Sequence, residues 1–301
     1  MSSGRKEKDA VTVRTLLGEE QVRIARKCLN SLCKQVKGSV SLVIHDDGSL
    51  QQESINRLNR DLPVERVLRR PEADEKMLQA LSSYPNCLEY RERSNFALKL
   101  FDVPVLANED RVVFSDSDIF FARPVEKMFD LSGESAKFCS NGHMGNAYAV
   151  SFTQVTPLGK IRLVDSFNSG LFSLDTAYYD LAFIESVLEY LAEGKRYWER
   201  PYWAEQTCWS AVAAKIGAKL WRFEDVSIPM KKDGAIHIPS DALVLHFASS
   251  VRQALWDVDL KTEVEAREPR TIDPRYNTSL RQLKFDANIY MESVLSSFFG
   301  G

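Results

Sequence analysis

Residues 111–124, RVVFSDSDIFFARP, hold the side chains with the plainest capacity for chemistry. Asp116 and Asp118 stand two positions apart at the end of an apolar run. On a regular strand that spacing sends both carboxylates to one face, and at a strand end the turn can splay them around a single ion. Carboxylate and water oxygens suit hard divalent cations, Mn2+ or Mg2+. Such an ion stabilises the charge that grows on a departing phosphate oxygen. A second D-x-D, Asp257 and Asp259, has no apolar strand before it, and turn or cap chemistry accounts for it.

The chain around the pair must then place it. VTVRTLL is an apolar, β-branched run, and the stretch after it repeats Val22, Ile24, Ala25, Leu29 and Leu32 at helical spacing. SVSLVIHDDG predicts a buried strand that turns at Asp46, Asp47 and Gly48, followed by a helix and a third strand, VERVL. Alternating β and α units imply an α/β fold with a mainly parallel sheet flanked by helices. Helices are predicted over 72–81 and 88–101, and 111–124 reads as one strand interrupted by its aspartates and closed by Pro124. Ligands of open α/β sheets bind beyond the carboxyl ends of the strands, where this pair falls. KFCSN, NAYAV, FNSGLFSLD, KLWRF and ALVLHF read as further strands, and YYDLAFIESVLEYLAEG, EQTCWSAVAAKIG and 280–299 as helices. No repeat and no long Gly/Ser linker divides the chain. One domain over 1–256 is expected, with a C-terminal extension over 257–301 whose helix packs on that domain or on a partner subunit, leaving a homo-oligomer open.

With 301 residues, 44% of them hydrophobic and 27% charged, the chain can bury a full core. A net charge of -3 provides no global field for gathering nucleic acid, so an anionic ligand must be held by local cations, metal or backbone N–H groups. The five cysteines form no CxxC pair, which speaks against a disulfide framework or a structural zinc site and for a reducing, cytoplasmic compartment. No stretch approaches the roughly 18 consecutive apolar residues of a membrane span. Of the four histidines, His45, His143, His237 and His246, only His246 ends an apolar strand within a recognisable segment.

FALKLFDVPVLANEDRVVFSDSDIFFARPVEKMFDL resembles the glycogenin-like glycosyltransferases of family 8, in which an apolar helix with a Lys precedes a strand ending in D-x-D. SFNSGLFSLD is similar to that family's F-N-[AS]-G strand, AEQTCWSAV to its D-Q helix start, and LVLHFASSVRQALW to its H-F-x-G-x-x-K-P-W segment. The resemblance spans roughly residues 11–256, and its weight lies in the four pieces occurring in family order. It implies a single GT-A (Rossmann-like) domain with Asp116, Asp118 and His246 as ligands of Mn2+ or Mg2+. Lys99, Ser117 and Arg252 would then face the donor's phosphates and sugar, and Asn168 and Gln206 the donor sugar or the acceptor. An acidic residue at the HDDGS strand end also resembles family 2 transferases, which would put Asp46 or Asp47, with Thr15, at the nucleotide.

The implied activity is transfer of a hexose from a nucleotide diphosphate sugar, taken as a UDP-sugar, to a glycan, lipid-linked or protein acceptor, with retention. Three departures stand out: Ser249 in place of the Gly, Arg252 in place of the Lys, and Glu205 in place of the Asp before Gln206. Arg keeps the charge but not the shape of Lys. Two alternatives therefore stay open: an inverting transferase with Glu205 as base, and a nucleotide-sugar-binding scaffold without turnover. Trp198, Trp203 and Trp209 cluster in sequence near Glu205, as core and wall or as a platform for a sugar ring.

Overall fold

The computed structural model describes residues 11–142, 146–155, 161–233, 235–261 and 263–299, the side chains of Ser249 and 292–299 excepted. His143 and the first ten residues lie outside the described residues. Three strands with intervening helices come first: β1 (Val11–Leu17), α1 (Val22–Gln35), β2 (Val40–Asp46), α2 (Gln52–Asp61) and β3 (Val64–Leu68). Helices α3 (Arg70–Ala80), α4 (Pro85–Arg93) and α5 (Phe96–Val105) lead to β4 (Arg111–Ser115) and β5 (Ile119–Phe121). Then come β6 (Ala136–Ser140), β7 (Phe167–Asp175), α6 (Leu181–Ala192), α7 (Lys195–Glu199) and α8 (Ala204–Ile216). The chain closes with β8 (Lys219–Trp221), β9 (Val226–Ser227), β10 (Met230–Lys232), β11 (Ala235–His237), β12 (Val244–His246), β13 (Thr271–Ile272) and α9 (Ser279–Phe299).

The main sheet has eight strands in the order β13-β8-β6-β7-β4-β1-β2-β3. β3, β2, β1 and β4 are parallel neighbours, β7 runs against β4 and β6, β6 pairs parallel with β8, and β13 is antiparallel to β8. Alternation along a strand sends successive side chains to opposite faces, and both faces are buried here. On β4, Val112 and Phe114 enter one core with Tyr90, Phe101 and Trp209, while Val113 enters the other with Leu29, Leu42 and Ile55. Of the apolar set that its spacing predicts, α1 buries Val22, Ala25, Leu29 and Leu32, while Ile24 is only partly buried. α8 stops at Gly217, whose φ of 65° is left-handed. Among the described residues, no helix is long and apolar enough to cross a membrane.

Three local expectations need correction. The helix expected over 88–101 is two helices, because Ser94 is extended (φ -141°, ψ 122°) and lets α4 fold back so that Arg91 forks onto Asp102 at 2.7 Å. The strand expected over 111–124 is also divided: β4 lies in the main sheet, whereas β5 joins a small sheet in the order β5-β12-β9. NAYAV forms no strand. Tyr148, Ala149 and Val150 are fully buried there, held by Ser210 and Thr207 side chains in place of a ladder. The stretch after residue 256 contributes β13 to the main sheet and clamps Asp225 between Arg267 and Arg270. Its helix α9 meets the body through Phe285 against Trp203 and Asp286 against Arg196.

Candidate active site

The division between β4 and β5 builds the site. At the end of β4 the Asp116 N–H donates to the Gly170 carbonyl of β7 at 2.7 Å, and the Ile119 N–H returns to the Asp116 carbonyl at 3.2 Å. That turn swings the chain into β5, which pairs antiparallel with β12 so that Ile119 faces His246. The Phe247 N–H then reaches the Asp118 carbonyl at 2.9 Å. A backbone ladder thus brings a histidine more than 120 residues away beside the D-x-D turn. His246 Nε2 lies 3.2 Å from Asp118 Oδ1 and 3.8 Å from Asp116 Oδ2. One ligand atom from each of the three residues falls within 4.8 Å of the others.

Gly170 makes the cluster possible. A Cβ there would stand 2.5 Å from His246 Cε1 and 2.9 Å from Asp116 Oδ2, closer than side chains tolerate. The space where that side chain would be is taken instead by His246, Asn168 and Asp116. Two carboxylates and an imidazole, spaced a few ångströms apart and open on one side, fit a divalent cation that keeps other positions for further oxygens.

Cations ring the acids. Lys99, buried on α5, places Nζ 3.4 Å from Asp116 Oδ1 and 3.2 Å from Glu205 Oε1. Arg252 reaches Asp118 Oδ2 at 2.8 Å from a 3-10 helix, Ser249–Asp257, and its side chain stays 41% exposed to the cleft. Glu205 opens α8, accepts from Ser169 Oγ at 3.2 Å, and its N–H donates to Tyr90 Oη at 3.0 Å. Burial, with the like charge of Asp116, pushes the Glu205 carboxyl up against the pull of Lys99. Burial and Asp118 push Asp116 up in the same way, although its side chain keeps 28% of its surface open to the cleft. Burial alone would also raise Asp118, but His246 and Arg252 outweigh it and hold that carboxyl low. Burial works against a charged His246, yet Asp118 and Asp116 prevail and raise it.

The cluster opens into a cleft of about 530 Å³. Lys99, Asp116, Ser117, Asp118, Asn168, Glu205, Gln206, His246, Arg252 and Asp47 all line it. Asn168 accepts from the Gly170 N–H at 2.8 Å, and Gln206 Nε2 donates to the Ala147 carbonyl at 3.2 Å. Two expected residues stand behind the wall. Thr15 is fully buried in the sheet, so alternation leaves Leu16 to face the cleft. Asp46 is spent on its own turn, accepting from the Gly48 and Leu50 N–H groups at 2.8 and 3.1 Å and pairing with Arg69 at 3.2 Å.

Gly170, Ser169, Phe96 and Tyr202 are site features that residue-type reasoning passed over, and the last two form an aromatic rim with Trp203. Gly170 was readable within F-N-S-G, but its steric role needs His246 in view. Of the three tryptophans, Trp203 lines the cleft, Trp209 is core, and Trp198 is half exposed against Tyr197.

No protein-family model and no curated protein matches this sequence. Solved structures do. Mouse xyloside xylosyltransferase 1 in its apo form superposes with a TM-score of 0.54 at 11% identity, over 79% of this chain and 97% of that one. The apo structure of the WbbM bifunctional glycosyltransferase gives 0.51 at 11% identity, over 83% of this chain and 47% of that one. The chain has a GT-A glycosyltransferase fold. On this GT-A sheet the acid–imidazole cluster sits beyond the carboxyl ends of β1 and β4, the general position for ligands of open α/β sheets.

Proposed function

We propose that the chain is a metal-dependent glycosyltransferase, a relative of the glycogenin-like family, that moves a hexose from a UDP-sugar to a hydroxyl acceptor with retention. One observation carries the reading: Asp116, Asp118 and His246 converge in a cleft that also receives Lys99 and Arg252. Asp116, Asp118 and His246 would hold Mn2+ or Mg2+, which when bound offsets the charge of a diphosphate leaving group. Lys99, pinned between Asp116 and Glu205, adds a fixed positive charge beside the phosphates. Arg252 is exposed enough to turn onto a phosphate oxygen, and its planar fork suits that anion. The amides of Asn168 and Gln206 line the space left for the donor sugar.

The Glu205 carboxylate is engaged by Lys99 and Ser169, so it is less a free base than a residue that holds Lys99 in place. Retention needs no such base: the acceptor hydroxyl attacks from the leaving-group face and its proton passes to the departing phosphate oxygen. The five cysteines are unpaired, and burial raises their thiols, as fits a reducing cytoplasmic setting. Purified protein with Mn2+ should hydrolyse a UDP-sugar slowly, and Asp116→Ala should abolish this. The Arg252–Asp118 contact favours a second reading, a nucleotide-sugar binder without turnover, because it competes for a ligand oxygen. Binding without hydrolysis across the common nucleotide sugars would establish that reading, and absence of binding to all of them would end both.

A further inference from the structure

The segment that carries Arg252 is a nine-residue 3-10 helix, Ser249–Asp257. Such helices seldom run beyond 3–4 residues, because their hydrogen bonds are poorly aligned, so a long one needs support from outside. One end is anchored at β12, where Phe247 pairs with Asp118. The far end is held by α1. Lys27 Nζ donates to the Leu255 carbonyl at 2.6 Å and to the Val258 carbonyl at 2.9 Å. A cation on the last carbonyls of a helix also matches the direction of its dipole. Lys27 lies 5.4 Å from the Trp256 ring centre, and Arg23, one turn earlier on α1, places its guanidinium 4.4 Å from the same ring. Beneath this contact Ala254 and Leu255 are buried with Cys28 and Phe120.

In a 3-10 helix residues three apart are eclipsed, so Arg252 and Leu255 lie on one line along the helix. A shift of the Leu255 carbonyl is therefore transmitted to the base of the Arg252 side chain. Arg252 ends 2.8 Å from Asp118, a contact with little tolerance for ångström displacements.

We propose that Lys27 is a positioning residue for the donor site: by clamping the end of this 3-10 helix it sets the reach of Arg252 over the diphosphate. Lys27 itself has no place among the cleft-lining residues. The inference rests on the function proposed above, with Arg252 meeting the β-phosphate. It makes α1, which packs on β5, part of the machinery that reads the nucleotide.

The test is calorimetric binding of UDP and UMP, each with Mn2+, to wild type, Lys27→Met, Arg252→Met and the double variant. Lys27→Met should weaken UDP about tenfold and UMP little, since loss of a positioned, charge-assisted contact falls on the β-phosphate. Lys27→Met should add nothing on the Arg252→Met background, and Lys27→Arg, which can still donate to both carbonyls, should restore most of the UDP affinity. A lowered Tm with unchanged UDP binding makes Lys27 a structural cap only and overturns the inference, as do equal losses for UDP and UMP or additive losses in the double variant. Should Lys27→Met not fold, Trp256→Leu carries the same comparison with the same outcomes. Wild-type protein that binds no UDP ends the functional reading as well, whereas UDP binding that is equal in wild type and Lys27→Met ends this inference alone.

Discussion

Two places at the carboxyl ends of the strands hold the same three residues, one histidine and two aspartates, and do different things with them. At the end of β2, His45, Asp46 and Asp47 follow one another. His45 points to the side opposite Asp46, against Arg14 at 3.2 Å, and burial with Arg14 and Arg66 drives its pKa down to about 3. Asp46 spends itself on backbone N–H groups and Arg69, and Asp47 accepts from the Ser49 N–H and hydroxyl. At the turn between β4 and β5, Asp116 and Asp118 meet His246 from the distant strand β12, and the two carboxylates raise the imidazole pKa. Adjacent residues alternate faces and satisfy themselves locally, whereas residues converging from separate strands leave ligand atoms aimed at a shared point. The third set of acids, Asp257 and Asp259, lies exposed on the surface.

The sharpest break of the comparison is Asp116→Ala, expected to lower UDP-sugar hydrolysis with Mn2+ by about 10³-fold or more, as when a group that stabilises transition-state charge is removed. Asp257→Ala should leave the rate within about twofold, since surface groups away from such features act weakly. An Asp116→Ala enzyme that keeps its rate would remove the distinction between the two clusters.

Gly170→Ala comes next. The added methyl must displace His246 or Asp116, so a loss of up to about 3 kcal/mol in urea unfolding is expected, together with weaker Mn2+ binding by electron paramagnetic resonance. An unaltered midpoint would mean that the ligands yield freely.

His45 predicts an acid limb. Below its ordinary pKa near 6.5 the unfolded chain takes up a proton that the folded chain refuses until about 3. Stability from this residue is thus fully present above 6.5 and is lost as pH falls toward 3, by up to about 2 kcal/mol between pH 6.5 and 5. Urea midpoints of His45→Gln should decline less over that range than those of wild type. The smallest effect is expected of Asp46→Asn, about 1 kcal/mol of stability from a weakened turn and ion pair, with UDP affinity unchanged. A UDP affinity that falls with stability intact would put Asp46 in the proposed nucleotide site.

Much of this was legible before any coordinates. Apolar runs disclosed the β1–β3 segment because β1 and β2 are near-continuous buried strands and Val22, Ala25, Leu29 and Leu32 of α1 keep the helical period. Asp116, Asp118 and His246 were legible as residue types, but only the β5–β12 ladder reveals why they meet, and pairing between distant strands leaves no trace in local spacing. For the same reason 111–124 looked like one strand: the apolar residues on both sides of the turn are equally buried, in different sheets. NAYAV misled because burial, not pairing, selects its apolar residues. Thr15 and Leu16 differ by one position, and which of them faces the cleft depends on register that composition does not record.

The final stretch of the chain is fastened to the main sheet at β13, and its Arg267 and Arg270 neutralise a fully buried Asp225. Trimming the protein after residue 256, where the family likeness fades, would therefore bare the hydrogen-bonding rim of β8 and strand an anion in the interior. The shortened product is expected to be sticky, adding molecule to molecule along that rim, so solubility itself becomes a property of the tail.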